Sequence, residues 1–206
     1  MSATAIAGRL EQGMDSLNNG DFAEAYCIWR PLAMQGHKDA AFHLGWLYAN
    51  GNGLRVDVNK AIYWWTQAAN QGHTDAMFAL GLAYTTGEGI KKDLDQAVDW
   101  FLKAAESGQE DAREILRIQV RAGAKEIRDR LGELIQKPWL GQRVKVKVDN
   151  ANLRSGPGTE SKLLGKVEKD ATLLVVSKQN GWFQVIKPDD LSYSWIAGWL
   201  AEPGME

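Results

Sequence analysis

A single cysteine, Cys27, stands in 206 residues, so an intrachain disulfide and a dithiol redox site are both excluded. Beside Ile28 and Trp29 on an expected helix, it is expected to pack as a small hydrophobe. No apolar run approaches the ~18 residues of a membrane-spanning helix, so no transmembrane segment is expected. The first ten residues lack a basic start followed by an apolar core, which points to a cytoplasmic chain. A periplasmic or envelope location is the alternative if a leader had been removed. Charge of one sign is not in excess either: 24 Lys/Arg stand against 26 Asp/Glu, a net charge of −2. Residues 1–136 carry 14 basic and 18 acidic side chains, and residues 137–206 carry 10 and 8. Neither part has the basic excess of a nucleic-acid binder, and no such partner is expected.

Catalytic signatures are missing as well. The chain holds no nucleophile elbow, phosphate loop or dinucleotide fingerprint. A cysteine–histidine hydrolase pair would have to use Cys27, whose place on a repeated helix is explained without catalysis. No enzymatic activity and no cofactor are therefore expected. Of the three histidines, His37 and His73 share one repeat position, where Gln109 stands a unit later. A metal pair and a helix-junction role are the two readings, and the absence of ligand spacings favours the junction. His43 has no ligand-spaced neighbour and is expected to be partly buried or exposed.

What the chain does have is a 36-residue period. Asp39-Ala40 returns as Asp75-Ala76 and Asp111-Ala112, Leu44-Gly45 as Leu80-Gly81, and Tyr48 as Tyr84. Gly51 and Gly53 return as Gly87 and Gly89, Trp64-Trp65 as Trp100-Phe101, and Gly36 as Gly72 and Gly108. Such self-similarity indicates a stacked helical solenoid, because one unit alone has no partner for its apolar face. Each unit reads as two antiparallel helices. Apolar residues at 40, 41, 44, 47 and 48 form one stripe, glycines at 51 and 53 break it, and Asp57 caps the next helix. Asp21 with Glu24 and Asp93 with Gln96 have the form of capping boxes. The opening unit is shortened. The third keeps Asp111, Leu116 and Gly123 in register but loses the glycine loop, and a charged helix is expected over about 124–136 as a cap. Trp29, Trp64, Trp65 and Trp100 hold consensus positions and are expected to pack between helices. Trp46 replaces what is Leu82 a unit later, and both burial and partner contact are open to it.

These residues resemble the Sel-one-like repeat, a tetratricopeptide relative, with two complete and two partial copies over about residues 5–136. The resemblance implies a right-handed superhelix of helix pairs that binds protein partners. Gly45, Tyr48, Gly51, Gly53, Gly81, Tyr84, Gly87 and Gly89 are its structural repeat positions. Many relatives brace the helix pairs with disulfides, which this chain lacks.

Pro138 ends the helical pattern, and residues 137–141 read as a hinge. Residues 143–148 then alternate with period two. Short β-like runs follow at 151–154, 163–167, 172–178, 181–187 and 193–200, which suggests a small barrel over 142–203. This part is similar to a bacterial Src-homology-3-like domain, through Leu153-Arg154-Ser155-Gly156-Pro157, Asn180-Gly181-Trp182-Phe183-Gln184-Val185 and Trp195-Ile196 with Trp199-Leu200. Ser194 stands where the family has glycine, and Lys187 to Ser194 reads as a longer hairpin. The polyproline-gripping segment of eukaryotic relatives is absent. The resemblance implies binding of cell-wall peptide or other proteins. Trp182, Trp195 and Trp199 fall near its core positions, which leaves Phe183 and Tyr193 as surface candidates. Arg154 has two readings, a bidentate grip on a ligand carboxylate and a bond to the neighbouring turn.

The expected fold class is thus multidomain α + β: an α-solenoid over 1–136, a hinge over 137–141, and a small all-β barrel over 142–203. The expected function is a non-catalytic adaptor or scaffold for protein or peptide partners, with Trp46, Arg154, Phe183 and Tyr193 as candidate contact residues. The alternative is an envelope protein whose barrel binds peptidoglycan. No metal is expected.

Overall fold

The 36-residue pattern folds as helices and the alternating pattern as strands in a computed structural model, which describes residues 3–203. Helices α1 (Ala3–Asn18), α2 (Phe22–Met34), α3 (Lys38–Asn50), α4 (Val58–Ala69), α5 (Thr74–Thr86) and α6 (Leu94–Glu106) each pack on the next in sequence. Then come α7 (Glu110–Ala122) and the short α8 (Lys125–Arg128) and α9 (Leu131–Leu134). The chain forms two compact units, Met1–Ala112 and Arg113–Glu206. No helix among the described residues is long and apolar enough to cross a membrane.

Helix ends follow the aspartates and glycines. The carboxylates of Asp57 and Asp93 accept hydrogen bonds from the Lys60 and Gln96 amides, both at 3.0 Å. Asp21 departs from the expected capping box: it precedes α2 without a side-chain cap, because its ψ of 59° is not the extended conformation of a capping residue. Gly72 shows how α4 stops. At φ +79° it turns left-handed, its N–H donates to Ala69 O at 2.9 Å, and the His73 N–H donates to Ala68 O at 3.1 Å. His73 then serves as the N-cap of α5, its Nδ1 accepting from the Ala76 amide at 3.3 Å, whereas His37 at the equivalent position precedes α3 with no side-chain cap bond.

Three glycines on first helices of the pairs are seats for aromatic rings on the second helices. A Cβ on Gly13 would collide with the Trp29 ring, one on Gly45 with Trp65, and one on Gly81 would lie 2.5 Å from Phe101. The absence of a side chain lets these helix pairs close. Gly53 and Gly89 do the same between units, where a Cβ would meet Phe22 at 2.6 Å and Val58 at 2.5 Å. The carbonyls of Tyr48 and Tyr84 accept the Asp57 and Asp93 amides, which fixes each Gly51 or Gly87 loop onto the start of the next helix.

Cys27 corrects an expectation. Ala25, Ile28, Trp29, Leu32 and Ala33 form the buried stripe of α2, and Cys27 lies off that stripe, exposed.

The second unit holds seven strands: β1 (Gln142–Val146), β2 (Ala151–Arg154), β3 (Leu163–Val167), β4 (Thr172–Gln179), β5 (Trp182–Ile186), β6 (Tyr193–Ala197) and β7 (Ala201–Pro203). They form one antiparallel sheet in the order β3-β2-β6-β5-β4-β1-β7. The run expected at 193–200 is not one strand, since a 3-10 turn at Gly198–Leu200 separates β6 from β7. Alternating residues of the strands, among them Val144, Leu173, Val175, Val185 and Ile196, make a single core. Leu174, Val176 and Ile186, whose positions alternate with that set, are buried too.

Residues 113–141 reach that second face. Arg121 Nε donates to Val176 O at 2.6 Å, Gln184 Nε2 donates to Arg121 O at 3.3 Å, and Gly141 lies against Val175 O. Arg117 Nε donates to Trp139 O at 2.9 Å, and Arg143 donates to Ile135 O at 2.8 Å. The expected helix over 124–136 is broken into α8 and α9, which bury Ile127, Leu131 and Leu134. The boundary between the compact units thus falls inside α7, upstream of the 137–141 segment that reads as a hinge.

Candidate functional site

Trp46 and Leu82 occupy equivalent repeat positions on α3 and α5, and both open onto the same cavity. Its volume is about 400 Å³, and Ala49, Val58, Trp65 and Ala79 complete most of its apolar lining. Leu82 is 41% exposed, and Trp46 is half-buried. The cavity is formed by one face of the first helices of successive pairs, with Trp65 of α4 at its base. A volume of this size is within the range of about 300–1,000 Å³ that ligand pockets occupy.

A larger cavity, of about 700 Å³, lies between α2 and α4. Tyr26, Arg30 and Met34 of α2 face Lys60, Tyr63 and Trp64 of α4, with Tyr48 of α3 beneath them. The Tyr26 and Tyr48 rings meet edge-on at 6.1 Å, and their hydroxyls share one hydrogen bond of 3.3 Å. Burial first, and then that bond, push the Tyr48 phenol up to about 12, so it keeps its proton at neutral pH. The Arg30 guanidinium stands 6.0 Å from the Tyr26 ring, and Lys60 Nζ 5.1 Å from the Tyr48 ring. The repeat pattern indicated none of these residues as a contact; it gave Tyr48 and Trp64 structural positions.

A third cluster joins the repeats from within. His43 stacks on Trp29 with centroids 4.5 Å apart, and His73 stacks on Phe42 at 4.4 Å. Asp39 Oδ1 lies 3.6 Å from His73 Nε2. Among the described residues, no group of three His, Cys, Asp or Glu side chains is placed to hold a metal ion.

In the second unit the three candidate contact residues do not share a site. Arg154 is half-buried and its Nη1 donates to Ser161 O at 2.7 Å, so it closes the turn between β2 and β3. Phe183 packs partly against the core, with Lys178 Nζ 5.1 Å from its ring. Tyr193 lines a cavity of about 290 Å³ together with Leu153, Leu164, Lys166, Lys187 and Asp190. Burial raises the Tyr193 phenol above its ordinary value. Of the three tryptophans expected in the core, Trp182 is buried and Trp195 half-buried, but Trp199 is 65% exposed. It falls in the 3-10 turn, where strand alternation no longer turns it inward, and its ring stands edge-on to Trp182 at 5.9 Å.

Comparison with known proteins agrees with this division. The model of the Sel1 repeat matches residues 38–73 and 74–109, and that of the bacterial SH3 domain matches residues 149–202. A Sel1 repeat protein from Oxalobacter formigenes is 30% identical, with a TM-score of 0.52 over 54% of this chain and 46% of that one. A protective antigen present in uropathogenic Escherichia coli strains, displaying an SLR fold, is 29% identical, with a TM-score of 0.54 over 57% of this chain and 26% of that one. The chain therefore spans less than half the length of either structure. No curated protein matches it. Matches and architecture agree that the chain carries two Sel1 repeats, at 38–73 and 74–109, and a bacterial SH3 domain at 149–202.

Proposed function

We propose that this chain is a non-catalytic adaptor that takes a protein or peptide partner on its helical unit and a second on its SH3 domain. The observation that carries the reading is the pair Trp46 and Leu82, set one repeat apart and open to one apolar cavity. A buried side of a solenoid has no need to keep such residues exposed, whereas aromatic and aliphatic anchors in a pocket are what protein interfaces use. The domain composition supports the same reading, since Sel1 repeats and SH3 domains are interaction modules.

Crosslinking in the native cell, followed by mass spectrometry, is the test. Crosslinks are expected from α3 and α5, and a Trp46→Glu/Leu82→Glu chain that keeps its helical dichroism is expected to lose about tenfold or more of the captured partner. An unchanged set of partners from that variant would remove the reading.

Trp199 favours a second reading, in which the SH3 domain holds the protein to peptidoglycan. A large apolar ring left 65% exposed beside a second tryptophan suits stacking on a ligand. The full chain is then expected to be retained on purified cell wall, and Trp199→Ala to lower retention several-fold. If the wild-type chain washes through, the envelope reading falls. The two readings also differ in compartment, because the second requires export.

A further inference from the structure

The cavity between α2 and α4 is chemically one-sided, and this goes beyond an unspecified binding face. No aspartate or glutamate lines it, whereas Arg30 and Lys60 do. Lys60 is already engaged by Asp57, Nζ to Oδ2 at 3.0 Å, but Arg30 has no ion-pair partner among the described residues. Tyr26 and Tyr48 have two phenolic protons between them and one mutual hydrogen bond, so one O–H remains free to donate. The charged side chains of the lining are thus both cations. Beside them the apolar parts are unusually open: Met34 is 69% exposed and Tyr63 is 55% exposed.

We infer that this groove binds an acidic segment of a partner polypeptide, with a glutamate or aspartate side chain held by Arg30 and the Tyr26–Tyr48 pair and a neighbouring apolar residue on Met34 and Tyr63. Charge complementarity selects the occupant. A neutral peptide would leave the guanidinium without its carboxylate, the partner whose fork geometry matches it. The size agrees as well. From Tyr26 to Met34 the α2 side of the groove runs roughly 12 Å, which matches about four residues of extended chain. Gln67 stands on the rim opposite, where its amide can pair with a peptide backbone.

Comparison with the following unit shows that the feature is local rather than a property of every repeat. The positions 36 residues after Tyr26, Arg30, Lys60 and Tyr63 hold Ile62, Thr66, Gln96 and Asp99. Both cations are lost, and a carboxylate takes the place of an exposed ring. An acidic segment therefore has one seat on the helical unit and no equivalent one unit along.

The inference rests on the reading of the helical unit as a peptide-binding module, and its test is separable from that reading. Full-length chain is applied to an array of hexapeptides with glutamate at the third position and all flanking residues varied, next to the same array with glutamine. The expected result is a preference of roughly tenfold or more for glutamate peptides with an apolar neighbour, reduced by added salt. Arg30→Gln is expected to abolish the preference, and Tyr26→Phe to weaken it, both with helical dichroism intact. Equal retention of the two arrays, or a glutamate preference that survives Arg30→Gln, overturns the proposal. Concentration-dependent self-association lost in Arg30→Gln would also overturn it, by making a second copy of this chain the occupant. If the arrays fail while Trp46-dependent crosslinks persist, the adaptor reading stands and only the acidic-segment proposal falls.

Discussion

Leucine in place of Gly45 is expected to destabilise the helical unit by at least the ~1–3 kcal/mol that overpacking usually costs. The added Cβ alone would lie 2.5 Å from Trp65 Nε1 and 3.1 Å from the Ala61 carbonyl oxygen. The Trp65 ring would have to shift toward the cavity that it lines, and the backbone carbonyl moves less readily still. A fall of roughly 5–10 °C in the thermal midpoint by far-UV dichroism corresponds to such a loss. Gly45→Ala is expected to have a smaller effect, because the better helix propensity of alanine returns about 1 kcal/mol. Gly8→Ala is the control: Gly8 is exposed inside α1 with no atom within 4 Å of a built Cβ, so stability is expected to rise by up to about 1 kcal/mol. Truncating the opposing ring, as Trp65→Leu, should recover part of the Gly45→Leu loss, a coupling that a double-mutant cycle measures. A Gly45→Leu chain melting with the wild type would show that this glycine is not a seat.

Acidification is expected to weaken the same unit well before its carboxylates titrate. His43 is lowered from 6.5 to about 4, chiefly by burial and secondarily by the nearby His73, with Asp39 and Asp75 pulling weakly the other way. His73 is also lowered by burial, which outweighs the Asp39 carboxylate 3.6 Å away. The unfolded chain takes up these protons near pH 6.5 and the folded chain takes up that of His43 only near pH 4. Between those values the unfolded state binds more protons, so stability falls as pH falls. At 1.36 kcal/mol per pH unit, the ceiling for His43 is about 3 kcal/mol. Denaturant unfolding across this window, repeated on His43→Phe, is the measurement. Phenylalanine keeps the stack on Trp29 and removes the titration, so the pH slope is expected to flatten to the His73 contribution. Wild-type stability constant from pH 6.5 to pH 4 would contradict the burial assigned to both rings.

Much of the fold was legible because it is periodic. One interval of 36 residues located α3 to α6, period-two alternation located β1, and short β-like runs bounded by turn residues located β2 to β5, all within a residue or two. Legibility failed where a non-local contact decides the outcome. The stretch 124–136 has the charge pattern of one helix, but Ile127, Leu131, Leu134 and Ile135 are all buried, and the segment folds as two short turns of helix. Trp199 reads as core because it ends a strand-like run, and the 3-10 turn that exposes it has no marker in the local pattern. For the candidate sites, Trp46 was readable as a departure from Leu82. The same comparison applied to the second helices would have exposed Tyr26, Arg30, Lys60 and Tyr63, which differ from their counterparts at every position. Matching units for what they share finds the scaffold, and subtracting them finds the chemistry. Arg154, by contrast, carries a family signature and is occupied in holding a turn, since conformity to a motif says nothing of which bond a side chain is spent on.

The glycine seats between units have a consequence for how such a chain changes over generations. Gly53 rests on Phe22 and Gly89 on Val58, so each loop is completed by the residue that opens the second helix of the preceding unit. The two partnerships are interchangeable by position. An in-frame loss of residues 38–73 would bring Gly89 onto Phe22, and a duplication of the same stretch would create another copy of the existing joint. Length therefore changes in whole units without any new kind of joint having to be invented, although each unit lost takes its stacking contribution with it. Individuality resides in the side chains that one unit does not share with the next.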